Sequence, residues 1–128
     1  MLNIYIADDS VVVRGRLKEA LEEKGNIMVV GECGEAGQAI QEIRSLDPQV
    51  SIIDIRMPGG GGLSVLKDLK ARTPGRIAII LTSFPFPQYR EVYLAAGADY
   101  FFDKTKDIQR MTDILEKLAI PQESSNRS

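Results

Sequence analysis

The stretch VSIIDIRMP at residues 50–58 places one carboxylate, that of Asp54, inside an otherwise apolar run. Such a run is typical of a β-strand that is covered on both faces, as in a parallel sheet. An ionised carboxylate is costly to bury without a partner. Asp54 therefore either lies partly exposed near the strand end or serves a chemical function there.

Four similar apolar runs occur along the chain, and segments with helical periodicity follow each of the five. The runs are Leu2–Ala7, Ile27–Gly31, Val50–Ile55, Ile77–Thr82 and Tyr100–Phe102. A regular alternation of strands and helices is typical of an α/β fold in which helices cover both faces of a parallel sheet. The sequence thus predicts a doubly wound, five-stranded parallel sheet with five helices.

Composition excludes several classes of function. The 128 residues suit one domain, and a net charge of −2 provides no basic surface for nucleic acid. No apolar run reaches the roughly 20 residues of a membrane helix. A single cysteine, Cys33, excludes an intramolecular disulfide, suits a reducing cytoplasm and is expected to be a buried thiol. The chain has no histidine, so histidine-based catalysis and histidine metal ligands are excluded.

Ligands of an open parallel sheet bind beyond the carboxyl ends of its strands, which directs attention to the residues there. Each of these has an ordinary explanation when taken alone. Asp9 or Ser10 could cap the first helix. Thr82 could start a turn, and Lys104 could be a solvated loop charge. The complete set at the strand ends is Asp8, Asp9, Asp54, Thr82, Ser83 and Lys104.

Taken together, the same residues indicate phosphoryl chemistry. Three converging carboxylates repel one another, and Mg²⁺ would relieve that repulsion because it accepts carboxylate oxygens and completes its shell with water. The cation would also make Asp54 a suitable nucleophile towards phosphorus. Lys104 would supply a second positive charge, and Thr82 would supply a neutral hydrogen-bond donor.

The sequence resembles the receiver domain of two-component response regulators over residues 2 to about 119. The matching features are Asp8-Asp9, Asp54 in DIRMPGGGGL, Thr82 in LTS, AGAD at residues 96–99 and Lys104 in FFDK. The resemblance implies a flavodoxin-like (CheY-like) fold with strand order 2-1-3-4-5. It assigns residues 1–119 to the receiver domain and leaves residues 120–128 as a polar tail, expected to be disordered or to begin a linker.

The resemblance also implies a phosphoacceptor and a metal site. Asp54 would accept the phosphoryl group. Asp9 and Asp54 would bind Mg²⁺ directly, Asp8 would bind it through water, and the backbone carbonyl of Arg56 would be a further ligand. Lys104 would contact the phosphoryl group.

The resemblance further implies residues that transmit the signal and residues that set the lifetime of the phosphoryl group. Thr82 would move towards the phosphoryl group, and the rotamer of Phe101 would follow. That would repack the face formed by the fourth helix, fifth strand and fifth helix. Arg56 and Phe84, two residues after Asp54 and Thr82, would tune the phosphoryl lifetime, and their bulk predicts a long-lived phosphorylated form.

The implied function is a phosphoacceptor switch in a two-component phosphorelay, which assists its own phosphorylation and dephosphorylation but is not an enzyme. A sensor histidine kinase or a histidine phosphotransfer protein would supply the phosphoryl group. The response would pass to a downstream protein target or to an output domain missing from this chain, and a homodimer through the switching face stays open. We expect a cytoplasmic protein that binds neither membrane nor nucleic acid directly.

Two other functions occur with a similar fold or a similar site. A Mg²⁺-dependent phosphohydrolase with an aspartate nucleophile is disfavoured. Such enzymes usually carry the nucleophile after the first strand and need a cap to select the substrate, whereas Asp54 follows the third strand and the chain is too short for a cap. A nucleotide or flavin binder would need a phosphate-binding loop after the first strand, where Asp8-Asp9 would repel the phosphate.

Two segments depart from the receiver pattern. Many receivers have a cis proline after the lysine, whereas Thr105 follows Lys104 here. This variation is similar to what receivers linked to helix-turn-helix output domains of the LuxR type often show. We expect a trans Lys104–Thr105 bond or a strained loop. In the segment Phe84-Pro85-Phe86-Pro87, the prolines predict that the fourth helix begins near Gln88. The two rings there are expected to pack under the loop, with a partner patch or a lid as the alternatives.

Overall fold

A computed structural model describes residues 1–120, and of the predicted tail only Ile120 lies within that range. Five strands form one sheet, because each is apolar on both faces and is covered by helices on both sides. Two of the strands match their predicted bounds, and the other three differ by one or two residues. The strands are β1 (Leu2–Ala7), β2 (Ile27–Cys33), β3 (Val50–Ile53), β4 (Ile77–Thr82) and β5 (Tyr100–Asp103).

All pairs in the sheet are parallel, and the strand order is β2-β1-β3-β4-β5. This confirms the predicted flavodoxin-like order. The strand β3 ends two residues earlier than predicted, and Asp54 directly follows it. The β1–β2 pairing shifts register between Ile4 and Tyr5, and the two strands then stay paired as far as Ala7 and Cys33.

Five helices follow the strands, as the alternation predicts. The fourth helix begins at Pro87, one residue before the predicted start, since a proline in the first helical position needs no hydrogen-bond donor and already has a helical φ. Ser10 caps the first helix by accepting a hydrogen bond from the amide of Val13. The helices are α1 (Val11–Glu22), α2 (Ala36–Leu46), α3 (Gly61–Arg72), α4 (Pro87–Ala95) and α5 (Ile108–Leu118).

Alternate residues of the strands point to opposite faces of the sheet and build two apolar layers. On one face Tyr5, Ile53 and Ile80 pack with α2, α3 and α4. On the other face Ile6 and Ile52 pack with α1 and α5. Cys33 is buried, as predicted. No helix among residues 1–120 is long and apolar enough to cross a membrane.

Candidate functional site

Three carboxylates meet at the carboxyl edge of the sheet. Asp8 and Asp9 follow β1, Asp54 follows β3, and one oxygen of each lies within 4.8 Å of the others. Asp8 and Asp54 are buried, with relative exposures of 2% and 5%, whereas Asp9 is exposed. The predicted convergence of these side chains is therefore present, because β1 and β3 are neighbours in the sheet.

Lys104, in the loop after β5, reaches into this acidic cluster. Its Nζ lies 2.6 Å from Asp8 Oδ2 and 3.3 Å from Asp54 Oδ2. Burial raises the pKa of Asp54 to about 6, the charge of Asp8 adds to the rise, and Lys104 opposes it. Burial lowers the pKa of Lys104, but the hydrogen bonds and charges of Asp8 and Asp54 outweigh it and raise that pKa above its usual value. The Lys104–Thr105 bond is trans, as are the other peptide bonds within residues 1–120.

The main chain of Asp54 is fixed from two sides. Its amide donates to the carbonyl oxygen of Ala7 at 2.9 Å, which continues the pairing of β1 with β3. On the other side Gly62, in the first turn of α3, packs directly against the carbonyl group of Asp54, and a Cβ at Gly62 would collide with that oxygen. Only glycine permits this close approach. Arg56, whose carbonyl is a predicted ligand, belongs to the same loop and has an exposed side chain.

Thr82 is fully buried at the end of β4. Its Oγ1 accepts a hydrogen bond from the amide of Phe84 at 2.9 Å, so Thr82 starts a turn, one of the ordinary roles that the sequence predicts for it. Its carbonyl oxygen accepts a hydrogen bond from the amide of Lys104 at 2.9 Å. The backbones that carry the two predicted phosphoryl contacts are thus hydrogen-bonded to each other.

Phe101 is buried in β5 beneath α4. Its ring packs against Tyr93, with the two centroids 6.4 Å apart. The guanidinium of Arg90 lies 5.9 Å from the centroid of the Phe101 ring and donates to the Phe101 carbonyl oxygen at 3.4 Å. The ring therefore lies inside the face that the sequence predicts to switch.

Arg56 and Phe84 stack on each other across the loops that follow β3 and β4. The guanidinium carbon of Arg56 lies 3.9 Å from the centroid of the Phe84 ring, a cation–π contact. The ring of Phe86 lies 6.5 Å from that of Phe84 and 6.0 Å from that of Tyr89, and Phe86 is 49% exposed. The prediction that both rings pack under the loop is wrong for Phe86, because Phe86 precedes the first residue of α4, Pro87, and its ring extends into solvent.

Two residues near the site, Arg14 and Glu35, make polar contacts that the sequence does not predict. Arg14 of α1 bonds to the carbonyl oxygen of Asp8 and to Glu32 of β2. Glu35 caps α2 by accepting from the amides of Gly37 and Gln38. Opposite charges at Arg14 and Glu32 were the available signal, but nothing local in the sequence relates α1 to the end of β2.

The AGAD segment has a structural role. The Asp99 carboxylate accepts from the Ala78 amide at 2.8 Å and from Lys70 Nζ at 2.8 Å. These bonds join the end of α4 to the start of β4 and to α3. The segment therefore lies at the opposite edge of the sheet from the acidic cluster.

Comparison with known proteins assigns the family. The profile of the response regulator receiver domain matches residues 4–116. The chain belongs to that family. Receiver domains of two-component systems are phosphorylated on an aspartate, generally bind Mg²⁺ at an acidic pocket, and interact with histidine kinases and output domains.

Individual relatives agree with this assignment. The receiver domain is 32% identical over 111 residues to the DNA-binding transcriptional activator DevR/DosR of Mycobacterium tuberculosis, covering 87% of this chain and 50% of that protein. It is similar to a LuxR-family DNA-binding response regulator of Staphylococcus aureus, with a TM-score of 0.85, 25% identity and coverage of 93% and 99%.

A third relative is the isolated REC domain of RcsB from Salmonella enterica, solved with the phosphomimetic BeF3-. The TM-score is 0.80, the identity 29% and the coverage 91% of this chain and 88% of that one. The receiver domain spans about half the length of DevR/DosR and of similar regulatory proteins, and 21–34% of the length of the protein-glutamate methylesterases that it matches.

Proposed function

We propose that this receiver domain accepts a phosphoryl group on Asp54 with Mg²⁺ bound beside it, and thereby switches the face formed by α4, β5 and α5. The observation that carries the proposal is the meeting of three carboxylates, two of them buried, around the ammonium of Lys104. A buried group of like charges costs stability, and a chemical use explains why that cost is tolerated. Family membership supports the same conclusion.

The donor set fits Mg²⁺. Carboxylate oxygens of Asp8, Asp9 and Asp54 and the carbonyl of Arg56 are hard ligands, and the exposure of Asp9 leaves room for water in the coordination shell. Bound there, the cation would neutralise the carboxylates and the oxygens of the incoming phosphoryl group. In the protein alone, Lys104 neutralises part of the same charge.

The phosphoryl donor is a phosphohistidine of a sensor histidine kinase or a histidine phosphotransfer protein, because this chain contains no histidine. One carboxylate oxygen of Asp54 forms the new P–O bond while the P–N bond to the imidazole breaks. The imidazole leaves with the electron pair of that bond and a proton from solvent. Lys104 then exchanges its contact with Asp54 for one with a phosphoryl oxygen.

The response begins at Thr82. When the Thr82 side chain moves so that its hydroxyl donates to a phosphoryl oxygen, Oγ1 moves away from the amide of Phe84, and the loop after β4 shifts. Phe101, packed against Tyr93 and Arg90, changes rotamer in answer to that shift. The altered face then binds a downstream protein, a second copy of the chain or an output domain. Arg56 and Phe84 slow hydrolysis of the phosphoryl group.

The wider setting follows from the same proposal. Residues 1–119 form the receiver, and the polar segment 120–128 begins a linker or a tail. Because DevR/DosR is a DNA-binding activator of about twice this length, we propose that any DNA contact belongs to an output domain and not to this chain. The protein works in the cytoplasm, where a kinase can reach Asp54, and it is a switch that influences its own phosphorylation and not an enzyme.

Intact mass spectrometry tests the proposal. The protein is incubated with acetyl phosphate and Mg²⁺, and the wild type should gain the mass of one phosphoryl group. Asp54→Asn should gain none, and neither should the wild type in EDTA. Asp68→Asn, which removes a partly exposed carboxylate that binds Arg44 between α2 and α3, is the matched control and should be phosphorylated like the wild type.

The outcome also separates the switch from the phosphohydrolase. A switch accumulates the phosphorylated form, whereas a hydrolase releases phosphate over many turnovers with little accumulation. Failure of the wild type to gain mass, or an equal gain in Asp54→Asn, would refute the assignment of Asp54.

A further inference from the structure

Arg14 contacts the acidic cluster through a backbone oxygen and not through a carboxylate. Its Nη1 donates to the carbonyl oxygen of Asp8 at 2.6 Å, and its Nε donates to Glu32 Oε1 at 2.9 Å. The Arg14 side chain is only 15% exposed. The carbonyl of Asp8 belongs to the peptide group that joins Asp8 to Asp9. This hydrogen bond therefore sets the orientation of the peptide group between two proposed ligands.

We infer that Arg14, held by Glu32, is a positioning residue for the cation site, which keeps the Asp8–Asp9 peptide in the orientation that cation binding needs. This inference rests on the proposed role of the acidic cluster in binding Mg²⁺. In this role Arg14 bonds to the backbone that carries the proposed ligands, and it contacts neither the phosphoryl group nor the cation.

Asp8 has two further hydrogen-bond partners besides Arg14 and Lys104. The amide of Asp8 donates to the carbonyl of Cys33 at 3.0 Å, and the amide of Ser10 donates to Asp8 Oδ1 at 2.9 Å. With the bond from Arg14, the amide, carbonyl and carboxylate of Asp8 all have partners. Asp9 follows the same peptide group, so the bond from Arg14 also influences the direction of its main chain.

Gly34 makes room for this arrangement. A Cβ at Gly34 would lie 2.8 Å from Arg14 Nη1 and 3.3 Å from both the carbonyl oxygen of Asp8 and the Cα of Asp9. A side chain there would therefore displace the guanidinium from the Asp8 carbonyl. Gly34→Ala consequently offers a second way to break the contact while the charge of Arg14 is kept.

The sign of the effect on Mg²⁺ affinity separates positioning from simple electrostatics. If Arg14 acted through its charge, its removal would strengthen binding, because a nearby positive charge repels a cation. A positioning role predicts weaker binding, since the carbonyl of the Asp8–Asp9 peptide then loses the donor that fixes its direction. Loss of an outer partner of this kind typically costs about 10- to 100-fold in metal affinity.

Isothermal titration with Mg²⁺ alone, well below the unfolding temperature of each variant, provides the test. Arg14→Gln should bind Mg²⁺ about 10-fold more weakly than the wild type. Arg14→Lys keeps one donor for the Asp8 carbonyl and should recover part of the loss. Arg44→Gln is the matched control: it removes an equal charge from the exposed pair with Asp68 and should leave the affinity within about 2-fold.

An Arg14→Gln variant that binds Mg²⁺ as tightly as the wild type, or more tightly, would overturn the inference and leave the proposed function intact. A wild type that binds no Mg²⁺ would overturn both. If Arg14→Gln does not fold, Gly34→Ala decides, because unchanged affinity in that variant would equally overturn the inference.

Discussion

Asp54→Asn should make the metal-free protein more stable near neutral pH, although it removes the proposed phosphoacceptor. Burial raises the pKa of Asp54 from 3.8 to about 6, with Asp8 adding to the rise and Lys104 opposing it. The folded protein therefore holds this proton more tightly than the unfolded chain does. Stability that is present below about pH 4 is lost as the pH rises through about 6, because the folded state must then carry a disfavoured charge.

The magnitude follows from the size of the shift. Roughly two pKa units correspond to about 3 kcal/mol. Solvent at the mouth of the site screens part of this, and asparagine loses the charged hydrogen bond with Lys104 at 3.3 Å. We therefore expect Asp54→Asn to raise the free energy of unfolding by about 1–2 kcal/mol at about pH 7.5, and by less than half of that at about pH 4.5.

Urea unfolding in EDTA, followed by circular dichroism because the chain has no tryptophan, measures the difference. Asp47→Asn is the control of opposite sign: the hydrogen bond from Arg76 lowers the pKa of Asp47, so this variant should lose stability near neutral pH. Adding Mg²⁺ should then stabilise the wild type much more than Asp54→Asn. An Asp54→Asn variant that is no more stable than the wild type at about pH 7.5, or that gains equally at both pH values, would refute the reasoning.

Lys104→Met should bind Mg²⁺ more tightly in calorimetry, because a competing positive charge is gone, yet gain less phosphoryl mass; weaker Mg²⁺ binding would contradict this. Arg56→Ala and Phe84→Ala should each shorten the lifetime of the phosphorylated form, and the double variant should add little, since either change breaks the same stack. Unchanged decay in both single variants would show that the stack does not protect the site. Ser51→Ala should leave the urea midpoint unchanged or raise it, because the Ser51 hydroxyl is buried without a partner within residues 1–120. A clearly lower urea midpoint would show that the hydroxyl does have a partner.

The architecture could be predicted because the five apolar runs and the helices between them are local patterns. The residues at which the strands end are not given by such local patterns. The run VSIIDI continues the apolar pattern past Ile53, but the strand ends at Ile53. It ends there because Gly62 packs against the carbonyl of Asp54 and the Gly62 amide donates to the carbonyl oxygen of Ile55. The strand β2 extends past Gly31 to Cys33 because it stays paired with β1 beyond the register shift, which no local pattern indicates.

The site was predictable to the extent that strand ends meet at one edge of a parallel sheet. That rule brought Asp8, Asp9, Asp54 and Lys104 together from residue positions alone. Contacts that depend on how a helix or loop is placed cannot be predicted from the sequence, and the bond of Arg14 with the Asp8 carbonyl is an example. The roles of Thr82, Phe101 and the other site residues stay predictions until phosphorylation is measured.

Gly62 shows that a residue without any functional group can be as restrictive as the nucleophile itself. The carbonyl group of Asp54 occupies the space that the Cβ of any larger amino acid at position 62 would need. In a mutational scan scored by signalling, position 62 should therefore tolerate substitution as poorly as position 54. Exposed glycines such as Gly75, with nothing near a new Cβ, should instead accept alanine freely. Intolerance of this kind measures the shape of the backbone around a site, and it should not be read as a sign of chemistry.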